Sequence, residues 1–134
     1  SMEKVKAAEQ AGQEFRQTYR DQDGVSETES GILYRVLTPG TGGQPKIDDT
    51  VVVHYRGTLV DGTEFDSSIR RGQPATFSLG GIIPGWQEAL QLMHEGALWE
   101  VVIPPELAYG ETGAGGAIGP QETLIFEIEL IEVK

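Results

Sequence analysis

The sequence predicts an α+β fold: an antiparallel β-sheet carrying one short helix, preceded by a helical extension. Three observations lead there. Short runs rich in β-branched residues are separated by Gly and Pro turn signals, helical spacing occurs only once among them, and no strand–helix–strand repeat points to a parallel sheet. At 134 residues the chain has the length of one domain. A domain of that size buries about two-thirds of its unfolded surface and needs neither disulfide nor structural metal to fold. Cysteine is absent, which removes thiolate metal sites, redox pairs and thiol nucleophiles.

Between Glu3 and Arg20 there is no proline, and Val5, Ala8, Gly12, Phe15 and Tyr19 recur at three- and four-residue steps, predicting an amphipathic helix. Two roles stay open for it: a connecting or dimerising helix that continues beyond this chain, or a terminal helix resting on its own domain. Ser1 ahead of Met2 reads as a residue left by cloning. The polar, turn-rich stretch Asp21–Gly31 is expected to be a linker, dividing an extension (1–30) from the main domain (31–134). Ile32–Leu37 is a strand pattern ended by TPGTGGQP at Thr38–Pro45, and Thr50–Leu59 (TVVVHYRGTL) is a second, closed by a tight turn at Asp61-Gly62. Ala75–Leu79 is a third. Pro84-Gly85 then opens the internal helix, where Trp86, Ala89, Leu90 and Met93 share one face. Ala97–Ile103 is halted by Pro104-Pro105, and Thr123–Val133 alternates Leu124, Phe126, Ile128 and Leu130 on one side.

Charge excludes some partners. Ten basic and 21 acidic residues give a net charge of −11, which repels phosphate backbones and anionic lipid surfaces, so no nucleic-acid partner is expected. The acidic surplus is dispersed and reads as a solvated surface rather than a trap for basic clients. Catalytic constellations are also missing. Gly110–Pro120 is glycine-rich, yet Gly113 and Gly115 are followed by Ile118 where a dinucleotide loop needs glycine, so a mobile surface loop is expected. His54 and His94 lack ligand-spaced partners; His54 reads as a satisfied strand residue and His94 as a neighbour of the helix C-terminus. Glu64 and Asp66 sit on one short segment and cannot flank a sugar. No metal and no cofactor are expected.

What remains is an uneven set of aromatics, Tyr55, Phe65, Phe77, Trp86, Tyr109 and Phe126, each of which alone reads as core. Their neighbours say more. The strings VVVHYRGTLVDGTEFDSS, FSLGGIIPGWQEAL, PPELAYGETGAGG and TLIFEIELIEV, in that order, resemble the FKBP-type peptidyl-prolyl cis-trans isomerases from Gly31 to Lys134. SGILYRVLTPGTGGQP and IIPGWQEAL are similar to the bacterial macrophage infectivity potentiator and FkpA-like branch. The resemblance implies an antiparallel β half-barrel wrapped around one short helix, with a proline pocket between them.

Carried over residue by residue, the resemblance makes Trp86 the pocket floor and Tyr55, Phe65, Phe126 and Ile82 its walls. Phe77 joins the binding set, and Ile83 supplies a backbone N–H to the ligand carbonyl. Tyr109 reaches the ligand with its hydroxyl, Ile118 covers the pocket from its loop, and Asp66 lies at the edge paired with Arg71. Ala75 stands where eukaryotic relatives often carry another pocket aromatic, and the link between Gly80 and Ile82 is short. Both departures bear on macrolides of the tacrolimus and rapamycin type more than on turnover. The implied substrates are proline-containing polypeptides, the implied compartment is the periplasm or outer membrane, and the implied full-length state is a dimer through an N-terminal region of which this chain, itself a monomer, holds only the end. The competing class is a client-binding chaperone module using the same pocket without turnover. Asp66 and Tyr109 argue against it, since bare apolar binding needs no polar rim, and no methionine-rich flap is present.

Overall fold

A computed structural model describes all residues from Ser1 to Lys134. The elements run α1 (Met2–Arg20), β1 (Val25–Glu27), β2 (Leu33–Thr38), β3 (Thr50–Leu59), β4 (Glu64–Ser67), α2 (Ser68–Arg71), β5 (Ala75–Ser78), α3 (Pro84–Leu92), β6 (Leu98–Ile103) and β7 (Leu124–Val133). The strands form one open sheet in the order β1-β2-β6-β7-β3-β4, with β5 also on β3. Every pairing is antiparallel. Register shifts at Val36/Thr38, Val52/Val53 and Gly57/Thr58 bend the sheet, since a bulge adds local twist.

Alternation builds the core as expected. Val51, Val53 and Tyr55 of β3, Trp99, Val101 and Ile103 of β6, and Leu124, Phe126, Ile128 and Leu130 of β7 pack with Trp86, Ala89 and Leu90 of α3. Pro84 occupies the first turn of α3, where its missing N–H costs no helical hydrogen bond. The sheet therefore wraps α3 on its concave face. On the convex face a second cluster joins Tyr19, Leu33 and Val102, flanked by Phe15, Val25 and Ile125. That places the second half of α1 on its own domain.

Two expectations change. The Asp21–Gly31 stretch is not plain linker: Val25–Glu27 pairs with Leu33–Arg35, a strand too short and too polar to show a two-residue period. Segment Ser68–Arg71 forms a one-turn helix capped by the Ser67 hydroxyl, which accepts from Arg70 N–H at 3.0 Å, and ended by Gly72 at φ 79°. His94 follows the end of α3, and its Nδ1 lies 2.8 Å from the Gly42 carbonyl oxygen, tying the loop before β3 to the turn after α3. Glu95 reinforces that tie by accepting from Gly43 and Val133 N–H at 3.2 and 2.7 Å, bonds that hold its carboxyl below the usual range. No helix is long and apolar enough to cross a membrane.

Candidate active site

The outer edge of β3 is shared. Thr50–Val53 pairs with β5 and Arg56–Thr58 with β4, which leaves a gap in the ladder at Tyr55. Ser68, fully buried, fills it: its Oγ accepts from Tyr55 N–H at 2.7 Å, donates to the Tyr55 carbonyl at 3.3 Å and lies 2.9 Å from His54 Nδ1. One hydroxyl thus satisfies the backbone of a pocket residue, and His54 is satisfied as expected.

With β3 held there, Tyr55 points to the concave side beside Trp86, at a centroid distance of 5.1 Å and 88°. Trp86 also stands at 87° to Phe77 and at 86° to Phe126. Phe126 in turn meets Phe65 at 5.6 Å and 88°. Such edge-to-face contacts suit ring quadrupoles, but perpendicular rings stand as walls and do not fill the space between them. Gly57 makes room for this wall, since a Cβ there would come within 2.5 Å of Phe65 and 2.9 Å of Phe126.

The result is a cavity of about 430 Å³ lined by Tyr55, Phe65, Asp66, Phe77, Gly81, Ile82, Ile83, Trp86, Tyr109 and Phe126. Nine of the eleven residues singled out in sequence meet around it. Gly81 is a lining residue that sequence reasoning missed, having no side chain to suggest it. Arg71 stands one layer behind, bonded to Asp66 and 3.1 Å from the Tyr55 hydroxyl. Ile118 departs from expectation: it is 8% exposed, belongs to the core cluster and does not line the cavity. The backbones of Ala114 and Ile118 are bridged by mutual hydrogen bonds of 2.8 and 3.2 Å, and Ile118 packs in the same buried cluster as Tyr55, Trp86 and Phe126.

Polar groups converge at the rim. Asp66 accepts from the Tyr55 hydroxyl, from Arg71 Nη1 and from Ser67 N–H. Burial works to raise its pKa, but the Tyr55 and Arg71 hydrogen bonds with the Arg71 charge outweigh it, so the carboxyl titrates below its ordinary value. Tyr55 moves upward, through burial first and then through donation to Asp66. The rim is therefore a carboxylate and a phenol, fixed by a guanidinium that also lies 5.7 Å over the Tyr55 ring. Two donors are unused: the Ile83 backbone N–H, ahead of α3, and the Tyr109 hydroxyl, on a side chain 40% exposed. Gln87 Nε2 donates to the Gly80 and Ile82 carbonyls at 3.3 and 3.0 Å, fixing the backbone that presents Ile83. Trp86 Nε1 is buried without any partner, so packing alone compensates its desolvation. No cluster of His, Cys, Asp and Glu suited to a metal occurs.

The chain thus combines an open antiparallel sheet around one helix with an aromatic cavity and a fixed Asp–Tyr–Arg rim. The family pattern described as FKBP-type peptidyl-prolyl cis-trans isomerase matches residues 42–131, and the chain belongs to that family. The domain amino terminal to such isomerases matches residues 1–36. The chain is 52% identical over 122 residues to the FKBP-type 22 kDa peptidyl-prolyl cis-trans isomerase of Escherichia coli, covering 91% of this chain and 59% of that one. It is 51% identical over 123 residues to the outer membrane protein MIP of Legionella longbeachae, covering 92% and 53%. The crystal structure of FkpA from Escherichia coli superimposes with a TM-score of 0.96 at 46% identity, over 99% of this chain and 62% of that one. The chain thus spans just over half the length of the curated relatives it matches.

Proposed function

We propose that the concave cavity catalyses cis–trans rotation of Xaa-Pro peptide bonds in polypeptides, with no cofactor and no covalent intermediate. The observation that carries this reading is an aromatic-walled cavity with two unused donors at its rim. Rotation must break amide resonance, a barrier of about 18–20 kcal/mol that makes the uncatalysed step take tens to hundreds of seconds. A planar amide is strongly dipolar and well solvated by water. The twisted amide is less so, and a cavity walled by Trp86, Phe77, Phe65 and Phe126 disfavours it less than it disfavours the planar form. Ile83 N–H is placed to hold the carbonyl preceding or following the proline, and Tyr109 to bond a neighbouring one. Asp66, kept ionised by Arg71 and Tyr55, supplies a fixed negative charge at the edge. Each 1.36 kcal/mol of preference for the twisted state multiplies the rate about tenfold.

Localisation at the bacterial periplasm or outer membrane belongs to the same proposal, supported by the printed name of the Legionella longbeachae relative. So does binding of tacrolimus-type macrolides in the cavity, for which inhibition of peptide turnover is the check. Pairing of the full-length protein through a longer N-terminal helix is tested by its sedimentation, a monomer counting against it. A division near residue 31 belongs to the proposal too, although the two family matches change over later, between residues 36 and 42. Turnover is tested by magnetisation-exchange NMR on a short Ala-Xaa-Pro peptide, where the protein should bring exchange from minutes to below a second. Peptide shift changes without faster exchange would transfer the lead to the client-binding reading.

A further inference from the structure

The segment 104–123 between β6 and β7 carries Tyr109 to the cavity rim, and both of its stems are held. Gly110 N–H donates to the Pro105 carbonyl at 2.9 Å, and Gln121 N–H donates to the Gly110 carbonyl at 2.8 Å. Gln121 has φ 59°, the one non-glycine residue of the chain in the left-handed region, a conformation that persists only where its surroundings hold it. Two residues later Thr123 is fully buried, and it meets α1 from the convex side. Arg16 Nη1 donates to Thr123 Oγ1. Gly12, one turn earlier on α1, allows the approach, because a Cβ there would stand 2.4 Å from that oxygen. The other stem opens with the short turn Pro105–Leu107. Its Glu106 is the main opposite charge felt by the half-buried Arg16 guanidinium. Arg16 therefore holds the Thr123 end of the segment, and Gln121, Gly110 and Tyr109 form a continuous chain of bonded neighbours from there to the cavity.

We propose that Arg16, on the far face of the sheet from the cavity, is a positioning residue for Tyr109, acting through Thr123 and the Gln121–Gly110 hydrogen bond. Anchoring of α1 and placement of the Tyr109 hydroxyl are then one equilibrium, so that whatever loosens the helix weakens the rim. The kinetic arm of this inference rests on the isomerase reading; the structural arm does not. The test is a double-substitution cycle of Arg16→Ala and Tyr109→Phe, with Arg16→Lys and the exposed helix variant Gln13→Ala as references. Backbone amide exchange of Gln121 and kcat/KM for the proline peptide are both read. Arg16→Ala should speed Gln121 exchange about tenfold and lower kcat/KM about three- to tenfold, while in the Tyr109→Phe background it should cost less than about 1.5-fold. Arg16→Lys should recover at least about half of the loss, and Gln13→Ala should change neither readout. Unchanged Gln121 exchange, or an equal kinetic loss in both backgrounds, overturns the proposal. If the wild-type chain does not accelerate the peptide at all, the isomerase reading fails and Gln121 exchange alone decides the positioning claim.

Discussion

On the concave face, α3 presents Trp86 edge-on to three rings and leaves a cavity between them; on the convex face, α1 comes so close that Gly12 touches Thr123. The same strands build both faces. Around Trp86 an indole N–H stays unpartnered and the Ile83 and Tyr109 donors are left unused. Under α1 the polar groups are paired: the Tyr19 hydroxyl donates to Glu100 at 2.9 Å, Arg35 reaches the same carboxylate at 3.4 Å and lies over the Tyr19 ring, and Arg16 holds Thr123. Burial and the bond to Glu100 push the Tyr19 phenol above its ordinary pKa, so it donates throughout the working range. The contrast teaches that an aromatic-walled space with unused donors surrounds Trp86, while the groups under α1 are packed and satisfied. Incomplete satisfaction at one place in an otherwise consistent structure marks a site.

The sharpest way to break that contrast is at the cavity floor. Trp86→Leu should lower kcat/KM for a proline peptide more than tenfold and cost about 2–4 kcal/mol of stability, as large-to-small core changes do; denaturant titration beside peptide exchange reads both. Ser68→Ala comes next. It leaves the Tyr55 N–H and carbonyl buried without a partner, a loss of about 1–3 kcal/mol, visible as a Tm lower by about 4–10 °C. Asp66→Asn should reduce turnover several-fold with a smaller change in stability, because half of this ion pair is solvent-exposed and screened. The pH dependence follows with its sign. The folded pKa of Asp66 lies below its unfolded value near 3.9, so its contribution is complete above that value and is lost as pH falls through the folded pKa. Wild-type turnover and stability should therefore be level near neutrality and fall in acid, and Asp66→Asn should lack that component of the fall. Tyr19→Phe should do least: a loss of about 0.5–1.5 kcal/mol with turnover within twofold of wild type. A large catalytic loss from Tyr19→Phe with packing intact would dissolve the distinction between the faces.

The elements with a sustained period were legible in the sequence. β3 and β7 alternate over ten residues each, α3 opens on Pro84 and α1 carries a clear stripe. Elements of three or four residues were not: β1 has only Val25 to bury, and α2 completes a single turn. Its signals were present, with Ser67 as cap and Gly72 as stop, but a single turn does not say that Ser68 packs against Tyr55. The cavity was legible only through the ordered motifs. Periodicity says that Tyr55, Trp86 and Phe126 face inward, but it cannot say that three rings meet at right angles and leave a space. Ile118 was legible only by carrying over a loop position; the structure buries it in the same cluster as Tyr55, Trp86 and Phe126.

The most direct measurement is residue-resolved chemical-shift mapping with a short proline peptide, recorded on the same sample as its cis–trans exchange rate. Perturbations centred on Tyr55, Phe65, Ile82, Ile83, Trp86 and Tyr109, with Tyr19 and Val102 silent and exchange accelerated, are the predicted result. Perturbations centred on the convex face, or accelerated exchange that survives Trp86→Leu undiminished, would contradict the placement of catalysis in this cavity.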